Sequence, residues 1–160
     1  MPATPRDLLK PRQQRLSEVL TSAQLQAGQA NAQQIVWGLK CEAETKKCKV
    51  LAGEYLKDGV SEPVAFVEKT GVSFPAGCTT AAGVTLLVLV EITVGTTTVT
   101  LTPGAATAGT PILPALTAGR IAVAQILVPE SWTATSSEAN LCTYTAIKYS
   151  AGNASPTSGF

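Results

Sequence analysis

Val84-Thr85-Leu86-Leu87-Val88-Leu89-Val90, followed after one turn by Thr96-Thr97-Thr98-Val99-Thr100-Leu101-Thr102, is the stretch that decides the fold. The first segment is almost continuously apolar, the pattern of a central strand covered on both faces. The second alternates, which sends Val99 and Leu101 inward and the threonines outward, as in a half-exposed strand. Val94-Gly95 marks the turn between them. Ile121-Ala122-Val123-Ala124-Gln125-Ile126-Leu127-Val128 repeats the first pattern, so two buried strands carry the core.

Working outward, short apolar or alternating runs recur at residues 35–41, 47–52, 54–56, 64–67, 84–94, 96–101, 119–128 and 141–149. Lys57-Asp58-Gly59, Phe74-Pro75-Ala76-Gly77, Thr102-Pro103-Gly104 and Ala108-Gly109-Thr110-Pro111 punctuate them as turns. Many short strands with glycine and proline turns predict a mostly β protein, an antiparallel β-sandwich or small barrel, with an N-terminal helical arm. At 160 residues the chain is long enough for one domain with extensions. The expected boundaries are arm and linker at 1–34, β domain at 35–150 and a flexible tail at 151–160, with the terminal Phe160 an anchor if the tail straps a neighbour.

The arm rests on two signals. Thr4-Pro5-Arg6-Asp7 reads as an N-cap, a proline at the first helical position and an acid three residues after the cap. Beyond Pro11, Leu16, Val19, Leu20, Ala23 and Ala27 fall three or four residues apart and make one apolar stripe that stops at Gly28. A helix over residues 12–26 follows, with Arg12, Gln13, Arg15, Ser17, Glu18 and Ser22 on its polar face. Such a helix packs on its own β body, bundles with copies of itself or lies on a partner; the sequence leaves these open.

The charges are distributed unevenly. The net charge is +1, so no overall field gathers nucleic acid or an anionic membrane. Beyond residue 69 the only charged side chains are Glu91, Arg120, Glu130, Glu138 and Lys148. A surface so poor in charge is expected to meet neighbouring protein, or else to be a threonine-coated virion or cell exterior. Lys40, Lys46, Lys47 and Lys49 form the densest basic group, but only Trp37 and Tyr55 lie nearby to stack bases, so a solvated hairpin tip is expected there. Trp132, after Pro129-Glu130-Ser131, reads either as a rim residue capping the core or as an interface anchor. No apolar signal core opens the chain, and the run at 84–94 is interrupted by Glu91 and too short to cross a bilayer; synthesis in the cytoplasm is the expectation.

The chain has no histidine, so Ser-His-Asp triads, Cys-His pairs and histidine-ligated metals are ruled out, and no phosphate-binding glycine motif occurs. Glu42, Glu44, Glu54, Asp58, Glu62 and Glu68 sit near turns among lysines, the arrangement of solvated hairpin ends rather than of a glycosidase pair. No enzyme activity, cofactor or small-molecule substrate is expected. Of Cys41, Cys48, Cys78 and Cys142, the spacing suits zinc poorly. A two-residue turn at Glu44-Thr45 would set Cys41 directly opposite Cys48, where a disulfide is sterically allowed; cytoplasmic synthesis favours free thiols.

The order of pieces between residues 37 and 129 resembles a small β-domain of tailed-bacteriophage structural proteins, found in fibres, baseplate components and capsid decoration proteins. The pieces are Ile35-Val36-Trp37-Gly38-Leu39-Lys40, Val50-Leu51-Ala52-Gly53-Glu54-Tyr55, Val72-Ser73-Phe74-Pro75-Ala76-Gly77, the strands at 86–90 and 96–102, and above all Pro114-Ala115-Leu116-Thr117-Ala118-Gly119-Arg120-Ile121-Ala122-Val123-Ala124. The resemblance implies a virion structural role. A compact domain behind an arm suits a cement or decoration protein, a homotrimer on the outer capsid surface that holds neighbouring subunits of the major capsid protein together. Leu8, Leu9, Arg12, Arg15, Leu16, Val19, Leu20, Trp132 and Phe160 are then the partner-binding residues, with the arm residues and Trp132 buried only in the assembly. A tail or baseplate component, such as a short fibre or adaptor, is the alternative. A carbohydrate-binding module would need exposed aromatics along a groove, and the chain has few.

Overall fold

A computed structural model describes residues 34–57 and 62–147. The predicted arm, with Leu8, Leu9, Arg12, Arg15, Leu16, Val19 and Leu20, and the predicted tail, with Phe160, lie outside the described residues. What is described is mostly β: three antiparallel sheets and two 3-10 turns, with no α-helix among the described residues.

The strands are β1 (Gln34–Gly38), β2 (Cys41–Glu44), β3 (Lys47–Val50), β4 (Gly53–Leu56), β5 (Val64–Phe66), β6 (Lys69–Ser73), β7 (Leu86–Thr93), β8 (Val99–Pro103), β9 (Arg120–Val128) and β10 (Thr143–Ala146). They pair as β1-β4-β5, β2-β3-β6 and β10-β9-β7-β8. The single run expected at 35–41 is broken because Gly38 and Leu39 both take left-handed backbone, φ 68° and 58°. The kink swings the chain from the first sheet into the second and drives Leu39 into the core. Across the kink, Leu39 N–H donates to Ala52 O at 3.3 Å and Leu51 N–H to Lys40 O at 2.9 Å, so β1-β2 and β3-β4 form one bent hairpin shared by two sheets. Gly38 lies opposite Gly53 at the bend, where a Cβ on Gly53 would run into the carbonyl oxygen of Trp37. Only glycine allows so close an approach.

β6 carries only Val72 as an inward apolar residue, which is why periodicity does not reveal it. It is held by backbone pairing with β3 and by Gly71 N–H, which donates to the Glu44 carboxylate at 2.7 Å.

β7 and β9 are the central strands of the four-stranded sheet. β7 is buried on both faces from Leu86 through Ile92, and β9 nearly so, as their apolar runs require. On one face Leu86, Val88, Val90, Ile92, Ile126 and Val128 join the main core, to which the other two sheets add Leu39, Val50, Tyr55, Phe66 and Val72. On the other face Leu89, Ala122 and Ile147 form a second cluster, covered by Leu113 and Leu116 of the loop 104–119. Thr100 and Thr102 of β8 are half-buried rather than exposed.

Candidate interaction surface

The interior of the four-stranded sheet explains why its exterior is so neutral. Glu91, fully buried in β7, accepts hydrogen bonds from Arg120 (3.0 Å), the Thr102 hydroxyl (2.9 Å), Thr117 N–H (2.7 Å) and the Thr117 hydroxyl (3.2 Å). A buried carboxylate is tolerated when a cation and several donors replace its water, and the two bonds from Thr117 pin the end of the loop 104–119 to the sheet. The ion pair neutralises two charges in the half of the molecule that has fewest. Glu130, whose carboxylate accepts from Gly83 N–H at 2.6 Å, and Glu138 are then the only charged groups left over from residue 74 through residue 147. Ile112 and Leu141 stand exposed on this half.

Trp132 belongs to the core, which corrects the expectation that it is buried only in an assembly. It is 1% exposed in the single chain. Its ring meets Phe74 edge to face at 4.9 Å and its indole N–H donates to Glu138 O at 3.0 Å. Ser131, in left-handed backbone, turns the chain here. Thr80 then clamps it: Thr80 N–H donates to Trp132 O at 2.9 Å, and the Thr80 hydroxyl receives Trp132 N–H at 3.1 Å while donating to Pro129 O at 2.5 Å. The side chain is an anchor for its own chain.

The β2-β3 turn falls at Thr45-Lys46, one residue beyond the expected place, with Lys46 at φ 58° closing it. Cys41 therefore pairs with Val50 and Cys48 with Ala43, a diagonal relation instead of the directly opposed one predicted for a disulfide. All four cysteines are free and buried. A hydrogen bond to Cys48, with burial, pushes the Cys41 thiol far up; burial, aided by neighbouring thiols, pushes Cys78 and Cys142 up to about 12. These thiols stay protonated, which suits packing and not nucleophilic attack. Among the described residues no group of three or more Cys, Asp or Glu side chains is placed to hold a metal ion.

Clefts open on the surface of the described residues. One of about 310 Å³ is lined by Thr85, Leu87, Thr110, Pro111 and Leu127, without a titratable group. Another, about 180 Å³, lies between β2 and β10 and includes Lys40, Cys41, Glu42 and Tyr144. There Tyr144 donates its hydroxyl proton to Ala139 O at 2.9 Å, and burial pushes its pKa up.

An exposed face of β1-β4-β5 carries apolar side chains. Tyr55 points into the core with Ile35 and Val64 beside it, so Glu54 and its cross-strand partners Trp37 and Ala65 point out. A bulge at Val36 sets this register. Trp37 is 55% exposed, and Val36 and Val67 flank it at 46% and 69%. Among the described residues Trp37 is the exposed aromatic, since Tyr55, Phe66, Phe74 and Trp132 are buried and Tyr144 is half-buried. Sequence reasoning missed this face because nothing in Gln34-Ile35-Val36-Trp37 announces the bulge; Gly38, at the kink, is the one local signal.

No family model, curated protein or solved structure matches this chain.

Proposed function

We propose that this chain is a non-catalytic structural protein of a tailed-phage virion: a cement or decoration protein, homotrimeric, that binds the outer capsid surface and stabilises contacts between neighbouring subunits of the major capsid protein. Its sheets would pack as a sandwich-like body. The reading rests on one observation above the others. From residue 74 through residue 147 the molecule presents a surface almost without charge, its Glu91 and Arg120 paired with each other and only Glu130 and Glu138 left outside. Such a surface suits burial against protein, because few charges have to be stripped of water when it is covered. The compact, hydrogen-bonded loop 104–119 adds a preorganised covering to that half, which lowers the entropy lost on docking.

The test is gold labelling in the electron microscope, with antibodies raised against the full chain, of particles from cells that make it. Label over the capsid supports the reading. Label at the tail replaces it with a tail or adaptor role, and particles without label refute both.

A further inference from the structure

The outer face of β1-β4-β5 is a sheet surface without a covering layer among the described residues. Trp37, Glu54 and Ala65 form one cross-strand row, Leu56 and Gln34 the next, and Val67 continues the line of Ala65. A sheet face of this composition is normally buried against another layer. Glu54 sits at its centre, and no ion pair reaches Glu54 among the described residues.

The rest of the chain points to the cover. Residues 1–33 run directly into Gln34, the first residue of β1. Leu16, Val19, Leu20, Ala23 and Ala27 provide an apolar stripe of matching chemistry, and only six residues, 28–33, separate it from the strand. Six residues span at most about 20 Å, while the outer strands of a three-stranded sheet lie only about 10 Å apart, so the stripe can cross its own sheet without strain. A tether this short gives an intramolecular contact an effective concentration in the millimolar range, which a second copy would have to exceed. The charges complement as well: Arg12 and Arg15 precede the stripe, and Glu18 is the only acid between residues 8 and 33.

We propose that, in the free protein, residues 12–27 seat on the outer face of their own β1-β4-β5 sheet, the apolar stripe covering Trp37, Ala65 and Val67 while Arg12, one turn before Leu16 and so at the end of the stripe, reaches Glu54. The seat is independent of what the body binds in an assembly, and capsid labelling does not bear on it. If the arm reaches a neighbour in the particle, it must first leave this face and uncover Trp37.

Photo-crosslinking of the full chain tests this. Benzoylphenylalanine in place of the exposed Trp37 leaves the core untouched, and digestion with mass spectrometry locates its cross-links. The expected product has the mass of a single chain, with the link falling in residues 12–27, and it is lost in the Leu16→Asp/Leu20→Asp variant. In that same variant with Trp37 restored, tryptophan emission shifts to the red and acrylamide quenching rises, because Trp132 stays buried and reports nothing. Links confined to other residues, links at the mass of two chains, or no link at all overturn the proposal.

Discussion

The bent hairpins between residues 34 and 73 and the four-stranded sheet with its loops beyond them solve the same problem in opposite ways. The hairpin half keeps its charges outside: Lys49 bridges Glu42 at 4.0 Å and Glu68 at 3.9 Å, all in reach of water. The sheet half takes the carboxylate of its close ion pair inside: Glu91 has no exposure at all, and Arg120, 28% exposed, reaches in to it from the surface. Exposed pairs contribute little because water competes for each charge, whereas a buried pair, once formed, is costly to break. The hairpin half therefore shows its charges to water, and the sheet half shows few.

Breaking the buried pair has the largest expected effect. Glu91→Ala leaves the Thr117 N–H and the Thr102 and Thr117 hydroxyls without their acceptor and frees the loop at Thr117, and should lower unfolding free energy in urea by about 2–3 kcal/mol. Gln125 sharpens the point from the other side: it is fully buried in β9 and neither amide atom finds a partner among the described residues. Gln125→Met keeps the volume and removes the orphaned groups, so stability in the same assay should rise by about 1–3 kcal/mol.

The thiols join the halves, Cys41 and Cys48 from the hairpins and Cys78 and Cys142 from beside the sheet. Their pH dependence follows from burial. A thiol whose folded pKa is raised binds its proton more tightly folded than unfolded, so stability is fully present below the ordinary value of 9.0 and falls as pH climbs from there through about 12. Thermal melts across that window should show the melting temperature dropping steadily, and Cys78→Ala/Cys142→Ala should flatten the drop.

Two smaller effects belong to the hairpin half. Lys46→Gly relieves left-handed backbone in the β2-β3 turn and should stabilise by about 1 kcal/mol. Lys49→Ala should cost under about 1 kcal/mol, and less still at high salt, as exposed bridges do. A loss at Lys49 as large as that at Glu91 would erase the contrast between the halves.

The strands were legible in the sequence to the degree that burial was two-sided or alternating. β7 and β9, covered on both faces, announced themselves by unbroken apolar runs, and Val99 and Leu101 by alternation. β6 did not, because one inward valine makes no period and its place is set by a partner strand and by Glu44. The kink at Gly38-Leu39 was hidden because a leucine in left-handed backbone is held by the tertiary contact it makes. Of the candidate site, the scarcity of charge was plain in the sequence. The exposure of Trp37 and the burial of Trp132 were not, since a bulge decides the first and a clamp by Thr80 the second.

The charge-poor half is proposed to meet protein. Light scattering on the full chain, over a range of concentrations and at salt from about 0.1 M to about 1 M, tests it most directly, because the Debye length shrinks from about 10 Å to about 3 Å across that range. The expected result is a homotrimer whose mass does not change with salt. A monomer at every concentration and every salt would contradict it.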